Sequence, residues 1–327
     1  MNRYDLVIIG MGASGMLSSI IVKKKNKGLN ILILEKNDEP GKKLSVTGNG
    51  RCNITNTNFY NFPIIEETFK NLGIDFSIED ERRCYPKKDA DFVVSTLKGE
   101  IENLNINYRL NSKVVDLIKA EDGFIVVLEN EKVFAKNVCM ATGGKSYPKL
   151  GTTGDGYVIL RNLGLKIETL IPSLTKVTVK EDLIKYKGIR QKAKVSLYEN
   201  GILIDEEIGE VQFRDDSLSG ICIMNLSTEI VKENDYEITM DFKGFERNMK
   251  IDSDTLTFHV TGLLGWKDAQ VTKGGLSVEE INLDTFESRI KNLYVLGELI
   301  NIQGKCGGYN LSYAWDSAIK FGENFEI

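Results

Sequence analysis

Histidine is almost missing from this sequence: among 327 residues His259 stands alone. A multi-histidine metal site within one chain is therefore excluded. The five cysteines, Cys52, Cys84, Cys139, Cys222 and Cys306, are scattered, odd in number and form no C-x-x-C pair. That excludes a zinc knuckle and a dithiol redox centre, and it argues against a disulfide framework. There is no apolar run of the roughly 20 residues a bilayer crossing needs. The chain starts almost at once with a strand and shows no signal-peptide pattern. A soluble, cytoplasmic protein without membrane contact is expected. Basic excess is also absent. The formal net charge is -5, and such a surface disfavours nucleic acid as a partner. Internal repeats and low-complexity tracts are lacking, and nothing signals an oligomeric state.

What remains is ordinary globular composition, 42% hydrophobic and 27% charged, enough for a large core. The opening reads as a βαβ unit. Tyr4 to Ile9 is a short apolar run of the buried parallel type. A glycine turn follows, then a helix from about Ser14 to Lys25, then a strand from Asn30 to Leu34. Residues 37–62 form a long polar loop, and loops of that length in a compact domain are usually functional. Helical periods follow near Ile64–Leu72 and Phe92–Leu104. Short strands fill Tyr108 to Val138, with a turn at Glu121-Asp-Gly123, and Val138 to Ala141 returns to a buried strand. Between 170 and 215 apolar and polar residues alternate, with a hairpin turn at Glu199-Asn-Gly201. Leu293–Leu296 reads as a strand and Tyr309–Phe321 as a helix. The expected fold class is α/β: a Rossmann-like domain of residues 1–168 and 262–327, with a mostly antiparallel β subdomain, 169–261, inserted into it.

Gly10-Met-Gly12-Ala13-Ser14-Gly15 lies between the first strand and the first helix. The first glycine permits the tight turn, the second lets backbone approach a pyrophosphate, and the third allows close helix–strand packing. The helix start then presents N–H groups and a positive dipole end to phosphate. Glu35 ends the second strand, placed to accept hydrogen bonds from ribose hydroxyls. This motif implies a dinucleotide without distinguishing a flavin from a nicotinamide one. In the long loop, Gly41-Lys-Lys43-Leu44 and Thr47-Gly-Asn-Gly50-Arg51-Cys52-Asn53 combine glycines with positive charge, suited to a pyrophosphate or a reduced flavin.

The stretch from Glu35-Lys36-Asn through Gly41-Lys-Lys43-Leu44 to Gly50-Arg51-Cys52-Asn53 closely resembles a bacterial family of NAD(P)/FAD-dependent oxidoreductases. That family includes aminoacetone-oxidase-type FAD-binding enzymes and bile-acid enone reductases. Ser146-Tyr147-Pro148…Gly151-Thr-Thr-Gly154-Asp-Gly156 matches its pattern as well. The resemblance covers roughly residues 1–240 and 260–327, and it implies FAD as the cofactor. It further implies that Val114 offers backbone to the adenine, and that Ala141-Thr142-Gly143-Gly144 passes close to the flavin nucleotide. Gly297-Glu298 then reaches the ribityl and pyrophosphate region. Gly307-Gly308-Tyr309-Asn310-Leu311 puts a helix start at the flavin ring edge, where reduction develops negative charge.

Two departures stand out. Relatives carry a helical insertion of several tens of residues before the last α/β segment, whereas here only Asp241 to Phe258 remains. Cys306 also replaces the threonine expected before Gly-Gly-Tyr-Asn.

The implied activity is hydride transfer through flavin N5 between NAD(P)H and a small organic substrate carrying an activated C=C or carbonyl. An FAD-dependent oxidase using O₂, of amine or aminoketone type, and a flavin-binding protein without turnover are the alternatives. No second G-x-G-x-x-G marks a separate NAD(P)H domain, so that donor would bind transiently at the flavin. A disulfide reductase lacks its C-x-x-C, and a tRNA-modifying enzyme is disfavoured by the acidic balance. Cys52, Tyr147, His259, Cys306 and Tyr309 are candidates for proton transfer or tuning. None is assigned a catalytic role, since the flavin itself carries the chemistry. For His259, in the alternating run Leu256-Thr-Phe-His-Val, a structural role is the expectation.

Overall fold

The computed structural model describes residues 1–231 and 234–326, which form two compact units. One holds residues 1–169 and those from Gly274 on; the other is Leu170–Lys273.

In the first unit Arg3–Ile9 is the central strand of a seven-stranded sheet. It pairs in parallel with Ile31–Leu34 on one side and Lys132–Met140 on the other. Asn107–Arg109 continues the sheet beyond Ile31–Leu34, and Leu293–Val295 lies parallel to Lys132–Met140. Leu6, Val7 and Ile8 are fully buried, which is why this strand reads as an unbroken apolar run and does not alternate. The strands Val114–Ala120 and Gly123–Leu128 add an antiparallel meander against Lys132–Met140.

The helix Ala13–Lys25 packs on the last helix, Tyr309–Asn324. Their approach is close enough that a Cβ on Gly322 would come within 2.6 Å of Ile21 Cγ2. The two middle helices run Phe62–Asn71 and Ala90–Asn103. Both start about two residues earlier than the apolar period indicates. Pro63 fits the first turn of one, and the Asp89 carboxylate caps the other by accepting from the Phe92 amide at 2.9 Å.

The long loop proves more structured than its composition implies. It contains the short helix Lys42–Val46 and the two-residue strand Thr55–Asn56, which pairs with Arg83–Pro86. Arg83–Pro86 in turn pairs with Phe76–Glu79. The Gly/Asn-rich stretch between is held by backbone in the left-handed region at Gly48, Asn49, Gly50 and Cys52.

The second unit is a closed barrel. Around it run Val177–Val179, Ser217–Ser219, Ile202–Phe213, Arg190–Glu199, Tyr236–Asp241 and Thr255–Leu263. Alternation sends Tyr236, Ile238 and Met240 inward with Val195, Leu197, Phe213 and Phe258. The hairpin at Asn200-Gly201 takes positive φ at both residues, 50° and 78°, which matches the right-handed twist of its strands. Residues 242–254 join the last two barrel strands without a helix, as the truncated insertion implies. Among the described residues no helix is long and apolar enough to cross a membrane.

Candidate functional site

Three glycine-bearing segments meet where neighbouring parallel strands end. Gly10–Gly15 follows Arg3–Ile9, Ala141–Gly144 follows Lys132–Met140, and Gly297-Glu298 follows Leu293–Val295. Carboxyl ends of parallel strands are where open α/β sheets bind ligands. The glycines divide into packing and open positions. Gly10 has φ +104°, and a Cβ there would lie 2.4 Å from the Ala141 carbonyl oxygen. On Gly15 it would lie 2.0 Å from the Gly10 oxygen, and on Gly297 2.5 Å from Ser14 Oγ. A Cβ on Gly12 would meet no protein atom within 4 Å. Space is therefore left at the one turn residue that precedes Ala13 and Ser14 at the helix start. No side chain caps that helix, so its leading N–H groups are left for a ligand or solvent.

Glu35 is only 7% exposed. One carboxylate oxygen accepts from the Met11 amide at 2.8 Å, the other from the Asn37 amide at 2.9 Å. Its carbonyl accepts from the Ser112 amide, which brings the start of the strand bearing buried Val114 alongside. Lys36 reaches Thr153 Oγ1 at 2.6 Å and Asp155 Oδ2 at 2.7 Å.

The loop after the second strand contributes backbone more than charge. Leu44 is buried. Arg51 pairs with Glu79 and lies over the Tyr85 ring, 4.1 Å from its centroid. Its charge is committed to that exposed pair. Gly50, at φ +81°, has open space where a Cβ would stand. Cys52 is fully buried at φ 56°, and burial pushes its thiol up to about 12. That leaves it protonated, a poor nucleophile. With its side-chain oxygen toward Gly308, Asn53 accepts from the Gly308 amide at 3.1 Å, and its nitrogen donates to Thr55 and Cys84 carbonyls. The loop is thereby tied to the start of the last helix. Gly308, at φ +99°, opens that helix with no side-chain cap. Asn310 closes a double hydrogen bond with the Gly304 backbone, 2.8 Å each way, while Leu311 is half-buried. A recess of about 350 Å³ runs along the same helix past Tyr60, Tyr309, Tyr313 and Asp316, within the range of small-molecule sites.

Of the residues expected to line one site, the structure gathers Gly10–Gly15, Ala141–Gly144 and Gly297-Glu298 directly. It ties Glu35 to the first of these and Asn53 to Gly308. The Thr142 hydroxyl is buried there with no hydrogen-bond partner, and an orphaned buried donor of that kind calls for a ligand or water. His259 stands elsewhere, on the barrel strand Thr255–Leu263 between Glu181 and Glu237. One further participant, Ser146, lies outside the expected set. It is fully buried and contacts both Lys43 and Glu298. The sequence places it in the Ser146-Tyr147-Pro148 stretch of the family pattern but assigns it no contact. The open cradle at Gly12, the unpartnered Thr142 hydroxyl and two uncapped helix starts together fit a long dinucleotide such as FAD.

Comparison with known proteins agrees. The profile described as HI0933-like protein Rossmann domain matches residues 4–67 and 58–324. A 3-dehydro-bile acid delta(4,6)-reductase of Clostridium scindens is 27% identical, over 96% of this chain and 97% of its own. A ribosomal RNA dihydrouridine synthase of Escherichia coli is also 27% identical, over 97% of each chain. The first alignment extends over 398 positions against 327 residues here, so at least 71 positions of that relative have no counterpart in this chain. Among solved structures, a 3-ketosteroid-delta4-(5alpha)-dehydrogenase from Rhodococcus jostii superposes with a TM-score of 0.55. Its identity is 12%, over 98% of this chain and 96% of that one. At that identity the likeness speaks for the fold.

Proposed function

The chain belongs to the HI0933-like family of FAD-binding Rossmann proteins and is a flavin-dependent oxidoreductase, and from that premise we propose that it reduces a C=C bond conjugated to a carbonyl, with NAD(P)H as electron donor. The observation that carries the flavin part of this reading is the cradle at Gly12, open beside an uncapped helix start and an orphaned Thr142 hydroxyl. Bound there, FAD supplies hydride chemistry at its N5. The chain's own residues hold and tune it. Gly10, Gly12, Ala13, Ser14 and Gly15 receive the pyrophosphate. Glu35 keeps lone pairs for the adenosine ribose, since each oxygen uses one on a backbone amide. Lys36 and Val114 flank the adenosine end. Lys43, Leu44, Gly50, Arg51, Cys52 and Asn53 form the wall of the flavin end, mostly through backbone. Ala141, Thr142, Gly143 and Gly144 lie under the middle of the cofactor, and Gly297 and Glu298 meet its ribityl chain. Gly308, Asn310 and Leu311 turn a helix start toward the ring edge, where positive dipole favours the reduced, more negative state.

The named activities of the two relatives point to one reaction type. A delta(4,6)-reductase acting on a 3-dehydro bile acid and a dihydrouridine synthase both saturate a C=C that is conjugated to a carbonyl. The net charge of -5 favours a small organic molecule over RNA as the acceptor here. Anaerobic titration of the purified protein with NADH and NADPH, followed by visible absorbance, tests the donor. Bleaching of a flavin band by either supports the reductase reading. Re-oxidation of the bleached protein is then followed with a 3-oxo-4,6-diene steroid acid, with a uridine-containing ribosomal RNA and with air. A band that persists with both nucleotides overturns the reductase reading, leaving an oxidase reduced by its own substrate or a flavoprotein without turnover. Fast re-oxidation by air alone favours the oxidase.

A further inference from the structure

In the first unit Lys43 and Glu298, both in the proposed cofactor wall, are joined to each other in a charged network. Lys43 Nζ lies 2.7 Å from Glu298 Oε2 and 2.7 Å from Ser146 Oγ, and Ser146 Oγ lies 3.1 Å from Glu298 Oε1. The serine is fully buried, and the lysine and glutamate side chains are each 22% exposed. Three distant stretches of sequence are thus closed into one triangle. The triangle stands against the dinucleotide turn on two sides. Gly297, the neighbour of Glu298, touches Ser14 closely enough to exclude a Cβ. On the lysine side, the Gly41 amide donates to the Met11 carbonyl at 2.9 Å.

With FAD bound as proposed, a carboxylate beside the dinucleotide turn would face its diphosphate. Like charges in a partly desolvated site disfavour one another, and the cost would fall on cofactor affinity. We propose that Lys43 does not act as a direct phosphate ligand but neutralises Glu298, and that Ser146 is the positioning residue that holds the pair together. With its charge balanced, Glu298 can accept ribityl hydroxyls with less repulsion of the diphosphate. The inference rests on the FAD reading above and deepens it. In this arrangement the lysine is dispensable once the carboxylate is gone, whereas a direct phosphate ligand would be needed in either background.

The test is a double-mutant cycle on FAD affinity, read by quenching of flavin fluorescence as FAD is added to the stripped, full-length protein. Lys43→Gln is expected to weaken FAD binding by about tenfold or more, the size of losing a charge-assisted contact. Glu298→Gln, which keeps an acceptor oxygen for the ribityl hydroxyls, is expected to weaken FAD binding severalfold at most, and the Lys43→Gln/Glu298→Gln double variant to lie within about threefold of Glu298→Gln. Ser146→Ala is expected to weaken FAD severalfold, with the effect absent in the Glu298→Gln background. Near-ultraviolet circular dichroism establishes that each variant folds. If Lys43→Gln does not fold, the Ser146→Ala cycle decides alone. A double variant as weak as Lys43→Gln overturns the proposal and makes Lys43 a phosphate ligand. No effect of Lys43→Gln also overturns it. If the wild-type protein does not take up FAD at all, what fails is the flavoprotein reading itself, which separates the two outcomes.

Discussion

The Met11 backbone amide donates to the Glu35 carboxylate across 24 residues of sequence, at 2.8 Å. An acid expected for its contact with ribose therefore also fastens the glycine turn to the end of the second strand. Its other oxygen holds the Asn37 amide, and the side chain is nearly inaccessible. Glu35→Ala should leave two backbone donors without their acceptor. Each buried unsatisfied donor costs about 1–3 kcal/mol. The variant should lose stability even when free of FAD, measured by urea unfolding of the stripped protein. An unchanged urea midpoint in that state would show that the carboxylate serves the ligand alone.

The dinucleotide glycines should separate by role. Gly10→Ala and Gly15→Ala place a Cβ 2.4 Å and 2.0 Å from backbone oxygens. They should destabilise the FAD-free protein by about 2 kcal/mol or more. Gly12→Ala meets no protein atom within 4 Å. Its thermal midpoint without FAD should stay near wild type, while its FAD affinity falls by about tenfold or more. A Gly12→Ala protein that binds FAD as the wild type does would mean that the diphosphate lies elsewhere.

How far the amino-acid order alone reveals this site depends on the range of the interactions involved. The glycine turn and Glu35 are readable because their constraints are local: a turn, a helix start and a strand end lie within one βαβ unit. Charged loop residues are not. Lys36, Lys43 and Arg51 show their sign in the sequence but not their partners. Those are Asp155, Glu298 and Glu79, of which the first two lie more than a hundred residues away. Ser146 stands in the matched Ser146-Tyr147-Pro148 stretch, yet its partners Lys43 and Glu298 are too distant in sequence to be read from it. The barrel strands between 170 and 215 announce themselves by alternation, as in Arg190–Glu199. The pairing of Thr55–Asn56 with Arg83–Pro86 does not, because a two-residue strand has no period to read.

Thiol reactivity offers a check on burial. Cys52, Cys84, Cys139 and Cys222 are all buried, and only Cys306 is partly accessible. Burial pushes Cys84 and Cys222 up to about 11 and Cys52 to about 12, and it raises Cys139 as well. Because the thiolate is the reactive form, a thiol reagent such as DTNB at about pH 8 should label at most Cys306 in the native protein, and all five cysteines after denaturation. Rapid labelling of Cys52 in the native state would contradict its buried position at the turn of the loop. It would also reopen a redox role for that residue.

The barrel carries the single histidine of the chain. His259 lies with Nδ1 2.6 Å from Glu181 and Nε2 3.0 Å from Glu237. The hydrogen bond to Glu181 is the main cause that holds its pKa above the ordinary imidazole value. The attraction of both carboxylates adds to this, against slight burial and Lys180. A pKa raised in the folded state means that the protonated ring favours folding. That contribution is fully present below the unfolded value of about 6.5 and fades as pH rises through the folded one. Wild-type protein should therefore exceed His259→Gln in thermal midpoint by more at about pH 6 than at about pH 9. The gap should shrink in Glu181→Gln, which removes the principal partner. Because the ring is solvent-exposed, the effect will be small and reduced by salt. An equal gap at both pH values would place the contribution of His259 in its packing and not in its charge.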